Sequence, residues 1–402
     1  MGGADRPGTS SRAHALAPAS QLRRVNTRRI VELLRSTGPL TRADLVRASG
    51  LAKPTVVAIV TDLVASGVVL ERGTTRDSGA SPPRGGRPGT LLVFNAAVST
   101  AVAVRLRPGE LVLQQVSADG DPLAEATAPV DTWDGDRLIT LIAGEVRRLC
   151  GSAGTLAAVS LVVAGVIDRG TVTLPARGWD RFPVQDRLHE ALGVPVVVLS
   201  PATAAMAGEA SAGAAEGHDT AVLVFLVTGL SVGLLSGGRL LTGARGGVGE
   251  LGHCRTGSEP ERECRCGRRG CLETVASGWA VRRDVASLGA PVAERTSLSQ
   301  LAALRDPRVD TVLEGAARVL GAATAWAVNL LDPSVVVLAD TDLTRGADGF
   351  FDVFAEAVRR DSLGGGELEV VRGTPDAVVR GAVQAALEQL PVVVRPRRNL
   401  GA

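Results

Sequence analysis

Apolar residues recur along this chain with two periods, and the point where the period changes divides it. Val56, Ile59, Val60, Leu63 and Val64 follow the i, i+3, i+4, i+7, i+8 spacing of an amphipathic helix. Upstream, Ile30, Leu33 and Leu34 form one stripe of a first helix, with Asn26 placed to N-cap it and Gly38-Pro39 to end it. Between the two, Thr41-Arg-Ala-Asp44 has the capping-box pattern of a short helix that stops at Gly50. Apolar runs at 68–72 and 91–94 predict a pair of strands. Two helices across so short a turn, followed by a β-ribbon, predict a winged helix-turn-helix over 21–94.

The flanks of that unit lack periodicity. Residues 1–20 are rich in Ser, Ala, Arg, Gly and Pro and read as a disordered basic tail. The Gly-, Ser-, Pro- and Arg-rich segment 73–90 is too long for a tight wing and reads as a mobile wing or linker.

Beyond residue 95 short apolar runs take over. Strands are predicted at 102–106, 111–116 and 123–128, a helix at 136–149, a buried strand at 156–163, a helix at 186–192 and a strand at 194–199. A second set starts with strands at 221–227 and 232–235. Long helices at 309–331 and 350–359 then flank a strand at 335–338. The repeated order predicts two α/β lobes, 95–200 and 201–402, with a last helix near 377–390 packing back on the first lobe.

Charge follows the same division. Residues 1–95 hold 14 Lys and Arg against 6 Asp and Glu, a net of +8, while the remainder carries −6. A basic first quarter on an acidic body suggests a nucleic-acid-facing head. In that head Lys53, Thr55 and Val57 lie on the third helix, with Val57 and Ala58 placed to touch a thymine methyl. Arg42 and Arg47 are placed for phosphates, and Arg87 for a narrow minor groove. No apolar run reaches about 18 residues, so no membrane span is expected.

Three of the five cysteines, Cys264, Cys266 and Cys271, fall within eight positions, and His253 lies eleven residues before the first. Three thiolates and an imidazole around Gly267 and Gly270 suit a closed tetrahedral zinc site of structural type, occupying 253–271. Such thiol usage points to a reducing cytoplasm. Cys150 and Cys254 are left over; Cys254, beside His253, could substitute as a ligand but reads first as a plain buried thiol.

These residues also carry a resemblance. Glu250-Leu-Gly-His253, followed by Cys264-Arg-Cys266-Gly-Arg-Arg-Gly-Cys271-Leu-Glu273, resembles the ROK family of sugar kinases and repressors. Thr228-Gly-Leu-Ser-Val-Gly233 and Gly243-Ala-Arg-Gly-Gly-Val-Gly249 look like its glycine-rich run. In the head, Gly-Leu-Ala-Lys-Pro-Thr-Val and Gly85-Gly-Arg-Pro88 look like the repressor branch, with Ala52 where a serine usually opens the recognition helix. The resemblance implies a two-lobed, actin-like body of ribonuclease H-like, sugar-kinase type. It also implies zinc on His253 and the three cysteines, and a sugar reached by Glu250, His253 and Glu273.

The kinase parts implied by the resemblance are largely missing. Arg105-Leu-Arg-Pro-Gly109 stands where the family has a phosphate-cradling Asp-x-Gly-Gly-Thr. Ser200-Pro201 replaces an Asn-Asp pair whose Asp is the base, and proline accepts no proton. Ser231 replaces a phosphate-loop glycine, and Ala339-Asp340 a Gly-Gly. Ala164 stands for a proline, while Ser200 and Thr203 offer hydroxyls in place of the lost pair; Trp179 is placed either to stack on a ligand or to fill core.

The expected protein is therefore not an enzyme. It is a cytoplasmic, DNA-binding repressor of carbohydrate-related genes, acting as a homodimer or homotetramer on a double-stranded operator. Its effector would be a sugar or sugar phosphate. The alternatives are an ATP-dependent sugar kinase with an added DNA-binding head, or a constitutive DNA-binding protein with a vestigial pocket.

Overall fold

The computed structural model describes residues 19–65, 67–74, 89–95, 99–151, 155–257, 261–290, 292–293, 296–339 and 347–390. Most of the expected tail and of the 73–90 segment, with Arg87, lies outside these residues, as does Asp340. The chain divides after Val98 into two compact units.

The first unit opens with α1 (Ala19–Thr37), two turns earlier than expected, so Asn26 sits inside the helix and does not cap it. Residues 21–24 are good helix formers. One tertiary contact reaches the added turns, where Arg23 pairs with Asp62; within the helix the Thr27 hydroxyl donates to the Arg23 carbonyl at 2.8 Å. β1 (Leu40–Thr41) leads into α2 (Arg42–Ser49), and α3 spans Lys53–Ala65. β2 (Val69–Thr74) and β3 (Thr90–Phe94) complete an antiparallel sheet of order β1-β3-β2. Thr74 pairs with Thr90, so both strands run further into the 73–90 segment than expected. Ile30, Leu34, Leu45, Val56, Val60, Leu63, Val69 and Leu92 make one core.

The start of α2 is fixed by a reciprocal cap. Thr41 Oγ1 accepts from the Asp44 N–H at 3.2 Å, and Asp44 Oδ2 accepts from the Thr41 N–H at 2.9 Å. The Thr41 hydroxyl bond, foremost, holds the Asp44 carboxyl below its ordinary value. This contribution is present at neutral pH and is lost as pH falls through the folded-state pKa. Thr41→Ala is expected to cost about 1 kcal/mol, read as a lowered urea midpoint at unchanged slope; an unmoved midpoint would refute the cap's contribution.

The second unit spans Ser99–Leu390 and is built twice from one plan. β4 (Ser99–Arg107), β5 (Glu110–Ser117) and β6 (Pro122–Pro129) form an antiparallel meander. After α4 (Gly135–Cys150), β7 (Thr155–Val162) pairs parallel to β4. A small sheet of β8 (Val166–Asp168), β9 (Thr171–Leu174) and β10 (Trp179–Phe182) precedes α5 (Val184–Leu192) and β11 (Val196–Leu199). The sheet order is β11-β7-β4-β5-β6.

After α6 (Pro201–Ala212) the plan repeats. β12 (Ala221–Leu226), β13 (Leu230–Ser236) and β14 (Arg239–Leu240) form the second meander. Then come α7 (Glu273–Ala276), α8 (Gly278–Ser287), α9 (Leu298–Ala302) and α10 (Pro307–Leu331). β15 (Val335–Ala339), α11 (Asp348–Asp361), β16 (Glu369–Arg372) and α12 (Ala377–Glu388) close the chain, giving the order β14-β13-β12-β15-β16. Among the described residues no helix is long and apolar enough to cross a membrane.

α6 and α12 lie between the two sheets. Ala103 and Val162 of the first sheet share a core with Leu223, Phe225, Val335 and Val337 of the second, through Ala202, Ala205, Met206, Val378 and Ala382. α12 also holds the first sheet directly, since Ser160 Oγ donates to the Ala382 carbonyl at 2.7 Å. The helices touch backbone to backbone: a Cβ on Gly381 would lie 1.8 Å from the Ala204 carbonyl oxygen.

Candidate functional site

The cysteine loop hangs on one short turn, residues 251–253, and two isolated bridges, Arg255 to Cys271 and Glu263 to Arg269. Gly267 and Gly270 have φ of +83° and +73°, a conformation costly for side-chain-bearing residues, and this reversal returns Cys271 to the first sulfurs. The ligand atoms of His253, Cys264, Cys266 and Cys271 all lie within 4.8 Å of one another. His253 Nδ1 is 3.7 Å from Cys264 Sγ, and Cys266 Sγ is 3.8 Å from Cys271 Sγ. Tetrahedral bonds of about 2.0–2.3 Å place such ligands roughly 3.5–3.8 Å apart; the two closest pairs already have that spacing, and the cluster as a whole is compact enough to close on a metal ion.

Cys264 and Cys271 are buried and Cys266 is exposed. Burial pushes Cys264 up to about 12. Burial also opposes ionisation of Cys266, but hydrogen bonds from the Arg268 backbone and side chain, with those from Cys264 and Cys271, draw it down to about 6. Cys254 lies outside the cluster, exposed, and Cys150 is buried in the first lobe.

His253 joins this cluster to a pocket of carboxylates. Its Nε2 lies 3.7 Å from Glu250 Oε2, while Nδ1 faces the sulfurs. Glu273 accepts from the Leu230 N–H and from the Trp279 indole N–H, each at 3.3 Å. A Cβ on Gly252 would lie 2.7 Å from both Glu273 Oε2 and the Leu230 carbonyl oxygen, and because the carbonyl is backbone only glycine lets the turn approach. Burial, foremost, raises both Glu250 and Glu273 above the usual carboxylate range, and His253 partly offsets it. Neither carboxylate caps a helix.

Trp279 escaped the sequence reading. Besides bonding Glu273, its ring is covered by the Arg265 and Arg283 guanidinium groups at 4.8 and 5.2 Å from its centroid. A tryptophan six positions after Glu273 and just beyond Ser277-Gly278 was the available signal. Trp179, in contrast, is core: it packs on Trp133 and Phe182, and its indole donates to the Trp133 carbonyl at 2.9 Å.

In the first unit the helix-turn-helix residues divide. Lys53 and Val57 are exposed on α3, and Thr55 is half-buried. Arg42 donates to Glu71 at 2.7 Å and Arg47 pairs with Asp44, so both charges are partly neutralised within the unit.

Residues 116–345, more than half of the chain, match the ROK family. The chain belongs to the ROK family. It is 27% identical over 339 residues to the xylose repressor of Bacillus subtilis, covering 81% of this chain and 84% of that protein. The solved structure of a ROK family transcriptional regulator, a homolog of the E. coli MLC protein, matches at a TM-score of 0.75 and 25% identity. It covers 92% of this chain and 98% of its own. A ROK family glucokinase from Streptomyces griseus, solved with glucose and AMPPNP, matches at 0.62 and 26% identity over 72% of this chain and 99% of its own.

Likeness to ROK regulators thus extends into the helix-turn-helix unit, while likeness to ROK kinases covers less of the chain. Ser200, Pro201, Arg105 and Ser231 stand where the resemblance expects sugar- and nucleotide-binding groups. Ser200 caps α6, accepting from the Thr203 N–H at 3.1 Å, and the two hydroxyls lie 2.8 Å apart. They satisfy each other as well as the helix end. Pro201 is the first residue of α6. Arg105, half-buried at the end of β4, has its pKa lowered to about 10, mainly by burial. Ser231 lies in β13 opposite Phe225.

Proposed function

We propose that this ROK chain is a DNA-binding transcriptional repressor of carbohydrate-related genes, acting in the cytoplasm, whose kinase-like body senses its effector without phosphorylating it. The observation that carries this reading is one chain holding both a capped helix-turn-helix with α3 exposed and a body whose base position is the helix-opening Pro201. Similarity to a xylose repressor and to a ROK transcriptional regulator supports it. The kinase alternative requires a proton acceptor and a phosphate cradle where Pro201 and Arg105 stand.

Zinc is the metal we assign to His253, Cys264, Cys266 and Cys271, because three soft sulfurs and one imidazole nitrogen with no open position suit it. Bound there it would serve as a structural cross-link. His253 would be held by Nδ1 and keep Nε2 toward Glu250, with Glu273 completing the polar wall for a sugar or sugar phosphate. As a homodimer or homotetramer the protein would set two α3 helices on a near-palindromic duplex operator, with Lys53, Thr55 and Val57 at the bases. Arg42, Arg47 and Arg87 would serve phosphates and the minor groove.

Fluorescence anisotropy of the zinc-loaded protein on DNA from upstream of its own gene tests this. Saturable, competitor-resistant binding is expected, relieved by one sugar or sugar phosphate by roughly 5- to 150-fold, the usual range of allosteric coupling. Binding that no compound alters would remove the sensing half of the proposal. ADP formation with any hexose would overturn the non-enzymatic half.

A further inference from the structure

The face of α3 turned to solvent has an unusual chemistry. Opposite the buried stripe of Val56, Ile59, Val60 and Leu63, the exposed positions are Lys53, Pro54, Val57, Ala58, Thr61 and Ala65. Four of these follow i, i+3, i+4, i+7 spacing and form a second, exposed stripe. It contains no Arg, Asn, Gln, Asp or Glu. Val57 keeps 39% of its surface exposed. The one hydroxyl on the stripe is turned inward: Thr61 Oγ1 donates to the Val57 carbonyl at 2.8 Å, so it has no proton to offer a base. Asp62, beside the stripe, is paired with Arg23 of α1.

Each base pair shows the major groove a distinct pattern, and three of its four bases are read there through polar atoms alone. Guanine is matched by Arg or Lys, adenine by Asn or Gln, and cytosine by a carboxylate. The 5-methyl of thymine is the groove's apolar feature. Lys53, at the first position of α3 and beside the stripe, is the helix's one basic residue and serves phosphate or a single guanine. The remainder of the stripe has apolar groups to offer.

We infer that, given the DNA-binding role proposed above for this helix, α3 reads its operator through thymine methyls, with Val57 at the centre and Pro54, Ala58 and Thr61 around it. Direct readout thus selects T-containing steps by close packing. A polar stripe would instead select G or A by bidentate hydrogen bonds.

The test uses the full-length, zinc-loaded protein and a randomised duplex library. Duplexes retained through selection are resynthesised with deoxyuridine in place of thymidine, one position at a time, which removes only the methyl. At one or more steps in each half-site, binding measured by anisotropy at fixed salt is expected to weaken about four-fold, as for loss of one buried methyl group. Val57→Ser is expected to weaken binding to the thymidine duplex. It should also close the gap between thymidine and deoxyuridine at the step Val57 covers, a coupling read as a double-mutant cycle. Because Val57 is on the surface, thermal unfolding of the variant should match the parent.

Sequence-specific binding that is indifferent to every deoxyuridine substitution would overturn the methyl readout while leaving the DNA-binding role intact. A deoxyuridine effect that survives unchanged in Val57→Ser would overturn the placement of Val57. A library that yields no specific duplex would overturn both the readout and the DNA-binding role.

Discussion

Cys271→Ser should strip the metal from the body and lower its melting temperature by roughly 6–8 °C. The side chain is fully buried and contributes one of four converging ligands. A bound ion stabilises only the folded state, by about 4 kcal/mol when its free concentration is a thousand times Kd, and a body of this size melts about 1.5–2 °C lower for each kcal/mol lost. Serine cannot replace a thiolate, and it leaves a hydroxyl in a site built for sulfur. Metal content by mass spectrometry and a calorimetric scan check both halves. Chelator should bring the parent to the variant's melting temperature and leave the variant unmoved. Cys254→Ser, outside the cluster, should retain the ion. Equal metal content in Cys271→Ser and the parent would refute the ligand assignment.

A comparable loss is expected far from the metal, at the seam between the lobes. Gly381 on α12 faces the Ala204 carbonyl at 1.8 Å from an ideal Cβ, and Gly208 on α6 faces the Ala377 carbonyl at 1.9 Å. These obstacles are backbone, so no rotamer change relieves them. Gly381→Ala must part the two helices and open the core that the sheets share through them. Overpacking of this kind costs about 1–3 kcal/mol, and a backbone clash belongs at the upper end. Gly144→Ala is the control. Inside α4 with nothing within 4 Å of its Cβ, it should gain roughly 0.5–1 kcal/mol from helix propensity. Urea midpoints that move alike in both variants would show that the close approach does not matter.

Local rules carried the reading a long way. The Thr41–Asp44 box, the stripe from Val56 to Leu63 and the strands of both meanders are each set by residues a few positions apart, whose spacing survives in any context. The cysteine cluster was legible for the same reason, because Gly267 and Gly270 determine within eight positions where the sulfurs go. The start of α1 was misplaced because its first turns depend on Asp62, almost forty residues away. The sequence places Arg42 and Arg47 for phosphates, whereas in the fold Glu71 of β2 and Asp44 of α2 share their charge.

By itself, then, the sequence determined the helix-turn-helix, the doubled α/β plan and the grouping of His253 with three cysteines, since all of these are matters of residue type and short spacing; Ser200-Pro201 stood out only through the resemblance to the family. Only the tertiary structure decided which of those groups remain available. It paired Arg42 with Glu71, and it set Glu273 against the Leu230 N–H. Glu209 on α6 became a fully buried carboxylate, bonded to the Ala214 N–H at 2.6 Å and to the Thr374 hydroxyl at 3.1 Å. A buried polar group must find partners wherever the chain brings them, and those partners lie up to 165 positions apart, beyond the reach of any local pattern.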